Sequence, residues 1–221
     1  MRPADGLWAL CAFVALAAIL GGLLHAPTAL AHATPGGLLA LYGATVAAEG
    51  GAVAWVLRRR RRLAVFLATR YRWRGRTVAA GAAAGLALSG LAALLARAEH
   101  PWLPVVSNNP LVANPAATQM PLALLLPLVL LIVGGAPLAE EALYRGLLFG
   151  GWQRVVGVGP AALGSAILFG LAHVQPALWL PMAALGAGLA GLTARTGSLW
   201  PATAAHATFN LTAIVLALRV H

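Results

Sequence analysis

Glu140 and Glu141 stand side by side in the run Glu140-Glu141-Ala142-Leu143-Tyr144-Arg145-Gly146, inside a long apolar stretch. His173 and His206 follow in two later apolar stretches, and Asn210 comes four residues after His206. Acids and imidazoles are costly in hydrocarbon, so their presence there marks a functional site by default. Two carboxylates, two histidines and an amide are the parts of a hydrolytic centre. Such groups activate water by general-base catalysis, directly or through a metal. The amide can donate a hydrogen bond to a developing oxyanion.

Spacing assigns different tasks. Adjacent residues on a helix diverge by about 100°, so Glu140 and Glu141 are expected to face different surroundings. Glu141 and Arg145 are four apart on one face, in the favourable acid-then-base order. A buried Glu141–Arg145 pair neutralises a charge that lipid would otherwise penalise, and leaves Glu140 to face a cavity. Phe169 and His173 share a face, as do His206 and Asn210. Each motif also has a plainer reading. A lone membrane glutamate can be held neutral, His173 can end a helix before Gln175-Pro176, and His206 with Asn210 can join helices by hydrogen bonds. Glu49 is a further intramembrane acid without a motif, read as packing or interface rather than catalytic, with tuning of the site left open. HExxH, GxSxG and paired-aspartate patterns are absent.

The elements that position these residues are membrane helices. Of 221 residues, 61% are hydrophobic and 9% charged, which leaves too little polar surface for a soluble domain. Backbone polar groups in lipid must be satisfied internally, which selects helices. The expected fold is all-α, a polytopic transmembrane bundle of about seven spans. The net charge of +10 comes from fifteen arginines and no lysine, and nine of them lie between Arg58 and Arg76. Flanked by apolar spans, this run reads as an orientation signal in contact with anionic lipid rather than as a nucleic-acid site. It belongs in the cytoplasm by the positive-inside rule. The single cysteine, Cys11, excludes an intramolecular disulfide.

Along the chain, Trp8 to Leu30 is a first apolar segment, read as a retained helix, although Ala31-His32-Ala33 resembles a cleavage site. Spans then follow at 36–57, 77–96, 121–152, 160–174, 177–194 and 199–218. The segment Leu63 to Thr69 is expected along the membrane surface. The proline-marked loop 101–120 divides residues 1–120, with their Arg-rich connection, from a core at 121–221. Pro127, Pro137 and Gly134-Gly135 are expected to kink or loosen the fourth stretch. Depth poses a conflict. His206 lies roughly 10 Å into its span, whereas His173 lies roughly 20 Å from the same side. The two meet if the fifth helix begins before the membrane, as Arg154 and Gly157–Pro160 suggest.

The three pieces Glu140-Glu141-x-x-x-Arg145, Phe169-x-x-x-His173 and His206-x-x-x-Asn210, in that order, resemble the CPBP family. These are the CAAX proteases and bacteriocin-processing or immunity proteins, also called the Abi family. The resemblance runs from Pro121 to the C-terminus. It implies an intramembrane endopeptidase acting on a membrane-associated protein or peptide, prenylated or not. By the motif, Glu140 and His173 activate water, His206 and Asn210 stabilise the oxyanion, and Glu141 and Arg145 give structural support. Glu140, His173 and His206 also make three ligands for Zn2+ or another divalent metal at an open site, and a metal-free glutamate–histidine mechanism stays equally open. The Ala/Gly-rich, Arg-only composition suggests a bacterial plasma membrane, where a prenylated tail is not the expected substrate. A non-catalytic scaffold or immunity protein of the same fold is the alternative, and a proton-coupled transporter ranks last. Oligomeric state is not legible.

Overall fold

The computed structural model describes residues 4, 5, 7, 8, 11, 33–102, 120–173 and 175–220. Most of the first apolar segment, with its cleavage-site question, and most of the 101–120 loop lie outside these residues. The described residues form helices and no strands, as an all-α membrane bundle requires.

Helix α1 (Pro35–Arg59) starts where the Thr34 hydroxyl accepts the Gly37 N–H at 3.2 Å and Pro35 fills the first turn. Such a cap and such a proline both favour a helix start. Arg58 and Arg59 occupy its last turn, where cations meet the negative end of the helix dipole. Helix α2 (Leu63–Arg70) is the short surface segment expected between two spans, with Phe66 buried. Helix α3 (Gly75–Glu99) follows. Helix α4 (Leu122–Val156) is the longest, α5 (Val158–Leu171) is short, and α6 (Pro176–Thr196) and α7 (Trp200–Val220) complete the core.

Among the described residues four helices are long and apolar enough to cross a membrane: α1, α3, α4 and α6. Helix α5 has 14 residues, about 21 Å of helix, short of the ~30 Å hydrocarbon thickness.

Helix α4 does not simply kink. It changes to π-helix over Leu131–Gly135 and again over Glu141–Phe149. A proline inside an α-helix collides with the carbonyl four residues earlier and cannot donate to it. For Pro137 that carbonyl belongs to Val133, inside the first π segment, so the wider turn absorbs the proline. The second π segment carries Glu141 and Arg145. Single π turns recur at functional sites.

Helix α7 lies along α3 at close range. Gly81 and Gly85 make this possible, because a side chain at either position would meet the backbone of Pro201 or Ala205. Small residues four apart are the usual means of bringing membrane helices together, and here they set the helix that carries His206.

The depth conflict does not keep the two histidines apart, since both line one cavity. Gly146 faces Phe66 and Leu199, and Gly150 faces Arg70, so the last turns of α4 project beyond the level of α2. Helix α5 returns from Gly157, where φ is +83°, and Gly164 sits beside Trp152. From Gly164 to His173 the helix rises about 14 Å. His206 lies about 9 Å along α7 from Trp200, within roughly a turn of the same level.

Candidate active site

Four side chains from three elements line one cavity of about 160 Å3: Glu140 from α4, His173 from the turn after α5, and His206 and Asn210 from α7. Tyr42 of α1 and Ile132 of α4 are among the other residues that line it. Sequence spacing had not singled out Tyr42, which stands in a span without any motif.

His206 is held from both sides. Its Nδ1 lies 3.0 Å from Glu141 Oε1, and its Nε2 lies 3.7 Å from Glu140 Oε2. Glu140 lines the cavity and Glu141 is fully buried, so the divergence of about 100° gives them different surroundings, and one ring still reaches both. The two ring nitrogens point in different directions, and one imidazole bridges both carboxylates. Glu141 Oε1 also accepts from Arg145 Nη1 at 3.0 Å. Glu141 and Arg145 are both fully buried, so this is the neutralising pair that the spacing indicated. Arg145 Nη2 donates to the Gly186 carbonyl at 3.2 Å, which ties the pair to α6.

Phe169 is the hub of the site. Its ring stacks under the Arg145 guanidinium at 4.4 Å and meets His173 at 5.0 Å and His206 at 5.6 Å, edge to face. A cation over an aromatic face is stabilised where water is excluded. The ring thus fixes the relative placement of both histidines. The Phe169-x-x-x-His173 spacing held this information, because residues four apart share a face.

His173 Nδ1 lies 2.8 Å from the Phe169 carbonyl. A carbonyl only accepts, so Nδ1 carries the proton and Nε2 keeps its lone pair. Asn210 Nδ2 donates to the Ile132 carbonyl at 2.8 Å. That carbonyl lacks a helical donor: the Ala136 N–H is taken by Leu131, and residue 137 is proline. Asn210 supplies what the proline removes, and keeps a second N–H.

Glu140 Oε2 is buried and has no hydrogen-bond partner among the described residues. Glu49, buried at 3% exposure on α1, lies within electrostatic reach of Glu140, Glu141 and Arg145. It therefore belongs to the surroundings of the site, in keeping with the tuning role left open for it. Among the described residues, no three His, Cys, Asp or Glu side chains are grouped to hold a metal ion.

Residues 121–212 match the family model described as Rce1-like, type II CAAX prenyl endopeptidase Rce1-like. The matched segment contains all four cavity residues and the Glu141–Arg145 pair. Comparisons with curated proteins and with solved structures give no match.

Proposed function

We propose that this protein is an intramembrane endopeptidase that hydrolyses a peptide bond of a membrane-associated substrate by glutamate–histidine activation of water, a reading supported by the match of residues 121–212 to the Rce1-like family model. The observation that carries this reading is the convergence of Glu140, His173, His206 and Asn210 on one small cavity.

Water in the cavity meets two acceptors, the Glu140 Oε2 lone pair and His173 Nε2. Removal of one proton from water to these groups lets the oxygen attack the scissile carbonyl carbon. The carbonyl electrons move to oxygen, forming the tetrahedral oxyanion. His206 faces a carboxylate at each ring nitrogen. The Nε2–H of His206 and the second N–H of Asn210 are the donors for the oxyanion. The proton first taken from water returns to the leaving amine as the C–N bond breaks.

Glu141 and Arg145 act through His206. Their buried pair fixes the ring and its Nδ1 proton, as a carboxylate behind a catalytic histidine does elsewhere. No step here runs through a metal. The residues Glu140, His173 and His206 remain the donors to test with Zn2+.

The test is cleavage of membrane-anchored peptides, prenylated and unprenylated, by wild-type protein, Glu140→Ala and His206→Ala in liposomes, with and without a chelator. Loss of cleavage in both variants supports the assignment. Cleavage that survives both substitutions overturns it, and chelator sensitivity overturns the metal-free route.

A further inference from the structure

On the other side of α4 from Glu140 lies a larger cavity of about 490 Å3. Its wall on α1 is formed by Val46, Gly50, Val53, Ala54 and Leu57. These recur at helical spacing, so they line one face over about 16 Å. The facing wall is Gly135, Leu138, Ala139 and Ala142 of α4. Leu63, Phe66 and Leu67 of α2 line one end, beside the arginine run. The space is therefore a furrow along α1, lined mostly by apolar residues, with one end at the Arg-rich face.

A second, smaller pocket of about 120 Å3 adjoins that end. Arg62, Arg70 and Arg154 line it, and it shares Leu57 and Phe66 with the furrow. The arginines come from three places in the chain: the start of α2, its end, and the projecting end of α4. No carboxylate lies at ion-pair distance from any of the three among the described residues, whereas Arg60 pairs with Asp5 at 3.0 Å and Arg145 with Glu141. Burial and the neighbouring Arg154 both push the Arg70 guanidinium below its usual pKa. Like charges gathered in this way are relieved by an anion.

The geometry points to a binding site for one anionic phospholipid, its phosphate held among Arg62, Arg70 and Arg154 and one acyl chain lying in the furrow between α1 and α4. The charge of the pocket selects the headgroup, and the length and apolarity of the furrow select the chain. Juxtamembrane arginines are attracted to anionic lipid in any case. What is specific here is that the cationic pocket and the apolar furrow share walls. The chain would pack on Leu138, Ala139 and Ala142, the neighbours of Glu140 and Glu141, on the face turned away from the reaction cavity. The site does not depend on the proposed peptidase activity, and its test reads binding alone.

The experiment is native mass spectrometry of the delipidated full-length protein in detergent, titrated with phosphatidylglycerol, phosphatidylcholine or inorganic phosphate. Wild type is expected to retain phosphatidylglycerol at least about tenfold more tightly than phosphatidylcholine, as a charge difference at such a surface implies. Arg70→Gln with Arg154→Gln should erase that preference. Ala54→Phe, which narrows the furrow from its α1 wall, should weaken phosphatidylglycerol binding at least about tenfold. Equal binding of the two lipids overturns the headgroup assignment. Unchanged binding by Ala54→Phe overturns the furrow. Displacement of phosphatidylglycerol by millimolar phosphate would reduce the site to an anion pocket and overturn the lipid.

Discussion

Asn210 donates to the carbonyl of Ile132 at 2.8 Å, and Ile132 lacks a helical donor because residue 137 is proline. A side chain on α7 thereby repairs a gap in the backbone of α4. An unsatisfied buried carbonyl costs about 1–3 kcal/mol, so Asn210→Ala should lower stability by that order. Pro137→Ala restores a backbone N–H near Ile132. Thermal unfolding of the two single variants and the double variant should show that Asn210→Ala costs less in the Pro137→Ala background. Strict additivity would show that the two residues do not share the Ile132 carbonyl.

Glu141 and Glu140 should separate stability from chemistry. Glu141→Gln leaves Arg145 buried without its counter-charge, and breaking such a pair costs about 3–5 kcal/mol. Glu140 Oε2 has no hydrogen-bond partner among the described residues, so Glu140→Gln should leave the unfolding temperature close to wild type. The rate should nevertheless fall by about 10²–10⁴-fold, the usual weight of a general base. Thermal unfolding in detergent, alongside cleavage assays, distinguishes the two. Equal destabilisation by both substitutions would contradict the division of labour.

Phe169 is expected to matter for activity beyond its bulk. Phe169→Leu keeps an apolar side chain but removes the face under Arg145 and the edges that meet both histidines. Cleavage should fall with a change in its pH profile, because both imidazoles lose their shared neighbour. An unaltered profile would make Phe169 a packing residue only.

Gly81 and Gly85 set the distance between α3 and α7. A larger residue at Gly85 would meet the backbone of Ala205, next to His206. Gly85→Leu should therefore reduce cleavage sharply, whereas Gly90→Leu, on the same helix with open space around it, should not. Equal tolerance at both positions would contradict the close packing.

Much of this arrangement was legible in the sequence. Apolar runs marked α1, α3, α4 and α6 because hydrocarbon thickness sets a minimum length. Glu141 and Arg145 were legible as a pair from their spacing. The bridging of Glu140 and Glu141 by His206 was not, since the helical wheel gives directions from the axis and says nothing of a ring wide enough to reach both. The π segments escaped because proline usually implies a kink, while here Pro137 is absorbed by a wider turn. The contact between Asn210 and Ile132 joins residues 78 positions apart, and a backbone acceptor leaves no trace in residue type. The furrow beside the arginine run was invisible for a similar reason: alanine and glycine on facing helices read as packing whether or not a space lies between them.

The most direct test is cleavage of a membrane-anchored peptide in liposomes by Glu140→Gln protein whose unfolding temperature matches wild type. The account expects cleavage by wild type and a loss of at least about 100-fold in the variant. A folded Glu140→Gln protein that cleaves at the wild-type rate would contradict it.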